Sequence, residues 1–226
     1  MRSISYTEFQ AAAGLNNNRM KVQRFEGALV GAFGRTDVYE SMGHLEVDSL
    51  AVRLRDLLTE KLSQKLAADI VRDQWGIWMR VAALAETSGQ PTFFYVIEYE
   101  TAKGKRHHMT LGSMLDDREP ANLLAIAEDL RARAGVTAKH YVVVEMHELL
   151  ESVRAAARDA GFDFSAPFLP PYGSAELDAV LKPFDESAPD RAIVVTGDQQ
   201  KQQTKHAQRS GAAARATVEA FSKTVN

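Results

Sequence analysis

Asn16, Asn17, Asn18, Arg19, Lys21 and Arg24 crowd into one short stretch, and Arg35 follows close behind. These are the side chains that read nucleic acid. Arginine contacts guanine through two hydrogen bonds, asparagine does the same to adenine, and lysine neutralises phosphate. The plainer alternative is that they form the solvated face of an amphipathic helix, and residue types alone do not separate the two readings.

Elsewhere the chemistry thins out. His107, His108, His140 and His147, with Glu145 and Glu148, are the candidates for a metal site. Adjacent histidines on a strand point to opposite faces, so at most one of His107 and His108 can join such a site. His147-Glu148 is followed by Leu149-Leu150-Glu151 and not by a second histidine, so no HExxH motif is present. We expect no metal and no cofactor. Gly31, Gly34, Gly43 and Gly89 make neither a phosphate-binding loop nor a dinucleotide fingerprint, and Ser113, Ser152 and Ser174 lack a nucleophile elbow. Asp116-Asp117 reads as a helix cap more readily than as an acid–base pair. Nothing points to catalysis. Lys103-Gly104-Lys105-Arg106-His107-His108 is the densest basic cluster, either a polar turn or a contact to nucleic-acid backbone.

The elements that position these residues follow from periodicity and punctuation. Residues 6–13 read as a short helix capped by Ser5 or Thr7 and stopped at Gly14. One of the three asparagines starts a second helix through residues 19–26, with Val22, Phe25 and Leu29 at helical spacing. Val30-Gly31-Ala32-Phe33-Gly34-Arg35 places two glycines around an aromatic and predicts a tight hairpin. Leu50, Leu54, Leu57, Leu58 and Leu62 form an apolar helical stripe. Ser63 recaps the chain, and Leu66, Ile70, Ile77, Val81 and Leu84 predict one further helix carrying Trp75 and Trp78, ended by Gly89-Gln90-Pro91. These tryptophans and Phe93, Phe94, Tyr95 and Tyr99 read as packing, or alternatively as the walls of a ligand pocket.

Beyond residue 91 the pattern turns to β. Residues 92–100 and 105–111 predict an antiparallel hairpin, 140–145 a third strand, 117–130 a helix with Pro120 in its first turn, and 147–160 a last amphipathic helix. Leu149, Val153, Ala156 and Ala160 along that helix suit either a dimer seam or packing on its own sheet. The hairpin offers an edge strand as a second route to a dimer. A proline-rich connector (164–173), a short helix (174–181), a strand (192–196) and a polar tail, either marginally helical or disordered, complete the chain.

The order at the N-terminus resembles the MerR-type winged helix-turn-helix over about the first third of the chain. Phe9 and Gly14 match the first helix and the turn, Leu15 and Met20 the apolar positions holding the second helix, and Phe25-Glu26-Gly27-Ala28-Leu29 the aromatic-acidic-Gly-Leu ending. Gln10 and Gln23 stand where that family has a small and an apolar residue. The resemblance implies a recognition helix carrying Asn16 to Asn18, Arg19, Lys21 and Arg24, a wing carrying Arg35, and two-fold dimers on duplex DNA.

The fold class is therefore α+β: a helical winged helix-turn-helix-like region (1–88), a small α+β module with an antiparallel hairpin (89–163), then the connector and C-terminal extension (164–226). The expected function is a non-enzymatic, sequence-specific DNA-binding transcriptional regulator acting as a homodimer on double-stranded DNA. The alternatives are a phage- or plasmid-associated assembly protein working through protein–protein contacts and, more remotely, a metal-dependent or hydrolytic enzyme in the β-rich module. Zero cysteines exclude disulfides and thiolate chemistry, and the net charge of -3 neither demands nor excludes a nucleic-acid partner. With no apolar leader or membrane-length run, we expect a cytoplasmic protein without a membrane partner.

Overall fold

Ser5 starts the chain's first helix: its hydroxyl accepts from the Glu8 amide at 3.3 Å while the Glu8 carboxylate takes the Ser5 amide at 2.7 Å. This reciprocal cap belongs to a computed structural model that describes residues 1–26, 28–35, 43–113, 124–125, 127–128, 131–132, 135–187 and 194–195. The expected helix at 117–130, with Asp117 and Pro120, lies largely outside the described residues, and the polar tail lies wholly outside them.

A two-residue strand β1 (Ser3–Ile4) leads into α1 (Tyr6–Ala13), and α2 (Asn17–Phe25) follows across Gly14. β2 (His44–Leu45) pairs antiparallel with β1 and opens α3 (Glu46–Thr59). Ser63 caps α4 (Gln64–Asp73) through the Leu66 amide. The single helix expected from Leu66 to Leu84 is two: Gln74 leaves the helical region at φ -110° and ψ 26°, and α5 (Trp75–Ser88) restarts there, ending at Gly89 in the left-handed conformation. Turning at Gln74 buries Trp78 completely and lets its indole N–H donate to the Val71 carbonyl at 2.9 Å. A continuous helix would leave that polar group to find another partner.

The hairpin forms as expected, with β3 (Phe93–Glu100) and β4 (Arg106–Ser113) antiparallel around the turn at Gly104. β5 (Thr137–Glu145) pairs antiparallel with the other side of β3, with a bulge opposite Glu98 and Tyr99. A short β6 (Val194–Val195) runs parallel to β4, so the sheet order is β5-β3-β4-β6. β3 is thus an inner strand and not the open edge expected of the hairpin. α6 (Met146–Asp159) and α7 (Ala175–Ser187) complete the described elements.

The architecture is α+β, a helical layer packed on one face of this sheet. Phe94, Val96 and Val144 join Phe9, Leu54, Leu58 and Trp78 in one apolar core that continues through Leu149 and Val153 to Leu181. Gly112 permits the close approach of the two layers, because a Cβ there would sit 2.2 Å from Val81 Cγ2 of α5. On the opposite face Phe93, Tyr95 and Ile97 make a smaller cluster with Met109, Leu111 and Tyr141. The expected α6 stripe faces inward only at Leu149 and Val153, which are buried on the side of α6 that packs against α1, α3 and α5, while Ala156 is half-buried and Ala160, past the helix end, is exposed. The proline-rich connector is likewise anchored, with the amides of Phe168 and Leu169 donating to the buried Glu86 carboxylate that Arg154 also contacts.

Candidate nucleic-acid interface

The turn between α1 and α2 is built on Gly14, whose φ of +67° is available to glycine at little cost. Its open side is filled by the Arg53 guanidinium, 2.8 Å from where a Cβ would stand, and Arg53 Nε donates to the Ala12 carbonyl at 3.2 Å. Asn16 then caps α2, its side-chain oxygen accepting from the Arg19 amide at 2.8 Å.

α2 is fastened on two flanks. Towards α1, Gln10 Nε2 donates to Asn17 Oδ1 at 2.7 Å, and the Tyr6 hydroxyl donates to the same oxygen at 3.3 Å. Gln10 therefore ties the two helices together. Towards α3, Arg19 Nη2 pairs with Asp56 Oδ2 at 3.0 Å. Asp56 also contacts the buried Arg55, whose Nη1 donates to the Ala28 carbonyl at 2.7 Å. Met20 and Gln23 turn inward and are buried, leaving Asn18, Lys21 and Val22 on the outward face.

This arrangement revises two sequence expectations. Val22, placed by its spacing in an apolar stripe, is 55% exposed because the inward face of α2 is set by Met20 and Gln23. Arg35 does not extend from a hairpin. Ala32–Gly34 is a 3₁₀ turn with Phe33 at φ 58°, and Arg35 Nη1 lies 3.3 Å from Asp48 Oδ2. The reason is Asp48, fully buried, whose carboxylate collects the amides of Ala32 at 2.9 Å and Leu45 at 2.8 Å. Burial pushes that carboxyl above the usual aspartate range, and the hydrogen bonds and Arg35 counter it. Phe33 meanwhile stacks edge-on against Trp75, with centroids 5.3 Å apart.

Arg24 lies on α2 with the others. The outward set of Asn18, Lys21 and Val22 was only partly legible: the signal for Val22 was the low apolar content of α2, which leaves no room for a wide buried stripe. The basic hairpin tip, Lys103 to Arg106, is exposed at the far end of β3 and β4.

A concave region of about 810 Å³ lies elsewhere, under the sheet, walled by Val96, Val142, Val144, Leu57, Leu62 and Leu149. Glu98 sits in register with His108 on one side and His140 on the other, while His107 falls on the opposite face beside Tyr99. Burial holds His108 below the ordinary histidine value, with Glu98 opposing and His107 reinforcing. Glu98 is itself paired with Arg106 at 3.2 Å. Among the described residues no three His, Asp or Glu side chains are arranged to hold a metal ion.

No protein-family model matches the chain, and no curated protein or solved structure matches it. Among the described residues no helix is long and apolar enough to cross a membrane.

Proposed function

We propose that the chain is a non-enzymatic, sequence-specific DNA-binding regulator that lays α2 in the major groove of duplex DNA, with the segment after α2 in the place of a wing. The observation that carries this reading is the outward face of α2. Asn18 and Lys21 are exposed beside a half-exposed Val22, on a helix held at both flanks by Gln10–Asn17 and Arg19–Asp56. Asn18 can pair with an adenine edge, Lys21 can neutralise phosphate, and Val22 can pack on a thymine methyl group. Asn17 and Arg19 are occupied with positioning in the free protein, and Arg19 becomes a contact once phosphate competes with Asp56. A regulator of this kind works in the cytoplasm, on double-stranded DNA.

The test is fluorescence anisotropy of the full chain on labelled genomic duplexes across a salt series. Binding that weakens steeply as salt rises, and weakens less steeply in Lys21→Ala, supports the reading. Binding with no salt dependence contradicts it. An assembly protein is the second reading. It is favoured by the neutralisation of Arg19 by Asp56, which leaves Lys21 beside the exposed Val22 on the outward face of α2.

A further inference from the structure

The cavity under the sheet is a groove with an apolar floor and an acidic rim. Val96, Val144 and Leu149 are buried in its floor, and Leu62 and Val142 beside them are half-buried. Glu60 on the turn after α3 and Glu148 on α6 line it, both exposed. Among the described residues neither carboxylate has an ion-pair partner. Lys61 is exposed on the same turn and is the one lysine or arginine among the lining residues.

The chain carries a segment of matching character beyond β6. Ala214, Val218, Phe221 and Val225 fall at i, i+4, i+7 and i+11, the spacing of one apolar stripe on a helix. Residues 196–226 hold Lys201, Lys205, Arg209, Arg215 and Lys223 against Asp198 and Glu219, so they are basic where the groove is acidic. The attachment point also fits. Val195 pairs with Ser113, Ser113 with Phe93, and Phe93 with Glu145, so β6 ends level with the Glu145 end of the groove. The sheet order puts it three strand spacings from β5, about 14 Å. Residues 196–211 can span about 50 Å when extended. A helix over 212–225 is about 21 Å long, close to the roughly 17 Å of strand from His140 to Glu145 that lines the groove.

We propose that residues 212–225 dock in this groove as an amphipathic helix of the same chain. Val218 and Phe221 seat on Leu62 and Val142, and the basic residues ahead of them lie along Glu60 and Glu148. Helices that bind grooves use anchors at this spacing. The short tether holds the segment at a millimolar effective concentration, which favours its own groove over that of a second copy. This docking stands whether or not α2 reads DNA.

The chain has no cysteine, so the full-length double variant Lys61→Cys/Ser222→Cys, treated with a short bis-maleimide, reads the docking directly. It should give a link within one chain, mapped by mass spectrometry. His107→Cys/Ser222→Cys, with its first cysteine on the opposite face of the sheet, should not. Adding Phe221→Asp to the first pair should cut the yield about tenfold, because it drives a carboxylate into an apolar, acid-rimmed groove. Adding Ala220→Asp, the same charge on the outward side of the helix, should leave the yield as it was. Glu60→Lys/Glu148→Lys should lower it, with circular dichroism checking that α6 is retained. No link, or a link that Phe221→Asp and Ala220→Asp change equally, overturns the proposal. So does a product of doubled mass, since the groove would then hold the segment of a second copy.

Discussion

Arg19 Nη2 lies 3.0 Å from Asp56 Oδ2, and the same carboxylate contacts Arg55, which is 1% exposed. One acidic residue of α3 thus sets both the position of α2 and the satisfaction of a buried guanidinium. Asp56→Asn keeps the shape but removes the charge. It should release Arg19 to phosphate and raise DNA affinity several-fold. It should also lower stability by about 1–3 kcal/mol, because the buried Arg55 loses its anionic partner. Anisotropy and thermal melting of the same variant read the two effects. Weaker DNA binding at unchanged stability would mean that the pair holds α2 in its reading position.

Gly112 and Val81 mark the closest approach of sheet and helices. Gly112→Ala should cost about 1–3 kcal/mol, as overpacking does. Adding Val81→Ala should recover part of it. Denaturant unfolding of the two variants measures the coupling, and strictly additive losses would show that the glycine serves the strand and not the contact.

Much of this framework was legible in the sequence, and the reasons are local. Ser5, Gly14, Ser63 and Gly89 punctuate helices through interactions within a few residues, so their roles follow from type and spacing. The hairpin around Gly104 and the strand ahead of α6 follow likewise. What escaped was set by contacts distant in the chain. Asp48 gathers the Ala32 amide across 16 positions and draws Arg35 inward, converting an expected hairpin into a 3₁₀ turn. The break at Gln74 follows from where Trp78 must go. Among the expected contact residues, the sequence placed Asn16 to Arg24 on or beside one helix. It did not show that Arg19 faces Asp56, or that Val22 faces outward.

The stripe of α3 separates into buried and exposed members. Leu58 is fully buried and Leu57 is 39% exposed, close to the cavity. Leu58→Ala should cost about 2–5 kcal/mol in chemical denaturation. Leu57→Ala should cost less than about 1 kcal/mol. Equal losses would indicate that Leu57 is covered in solution.

His44 supplies a pH signature. It is 4% exposed and stacks on Phe9 at 4.5 Å and 2°. Burial holds its imidazole below the ordinary histidine value, Asp48 draws it up, and Arg35 pushes it down again. The unfolded chain therefore binds this proton more tightly, so stability rises with pH through the window ending near 6.5 and is lost as pH falls through it. Burial raises Glu46, Asp48 and Glu86, with the opposite sign: their contribution falls as pH rises through the carboxylate range. His44→Phe should flatten the slope of melting temperature against pH just below 6.5 while leaving the carboxylate range as it was. An unchanged slope there would show that His44 keeps its proton on folding.

The central claim is that α2 reads DNA, and the most direct measurement is a gel-shift titration of genomic fragments with the parent and with Arg19→Ala/Lys21→Ala/Arg24→Ala. The account predicts a set of fragments retained by the parent. The triple variant should bind all of them more weakly and with a shallower salt dependence, as loss of phosphate contacts does, with the circular-dichroism spectrum nearly unchanged and a small drop in melting temperature from the lost Arg19–Asp56 pair. Equal retention by parent and variant, or no retained fragment at all, would contradict it.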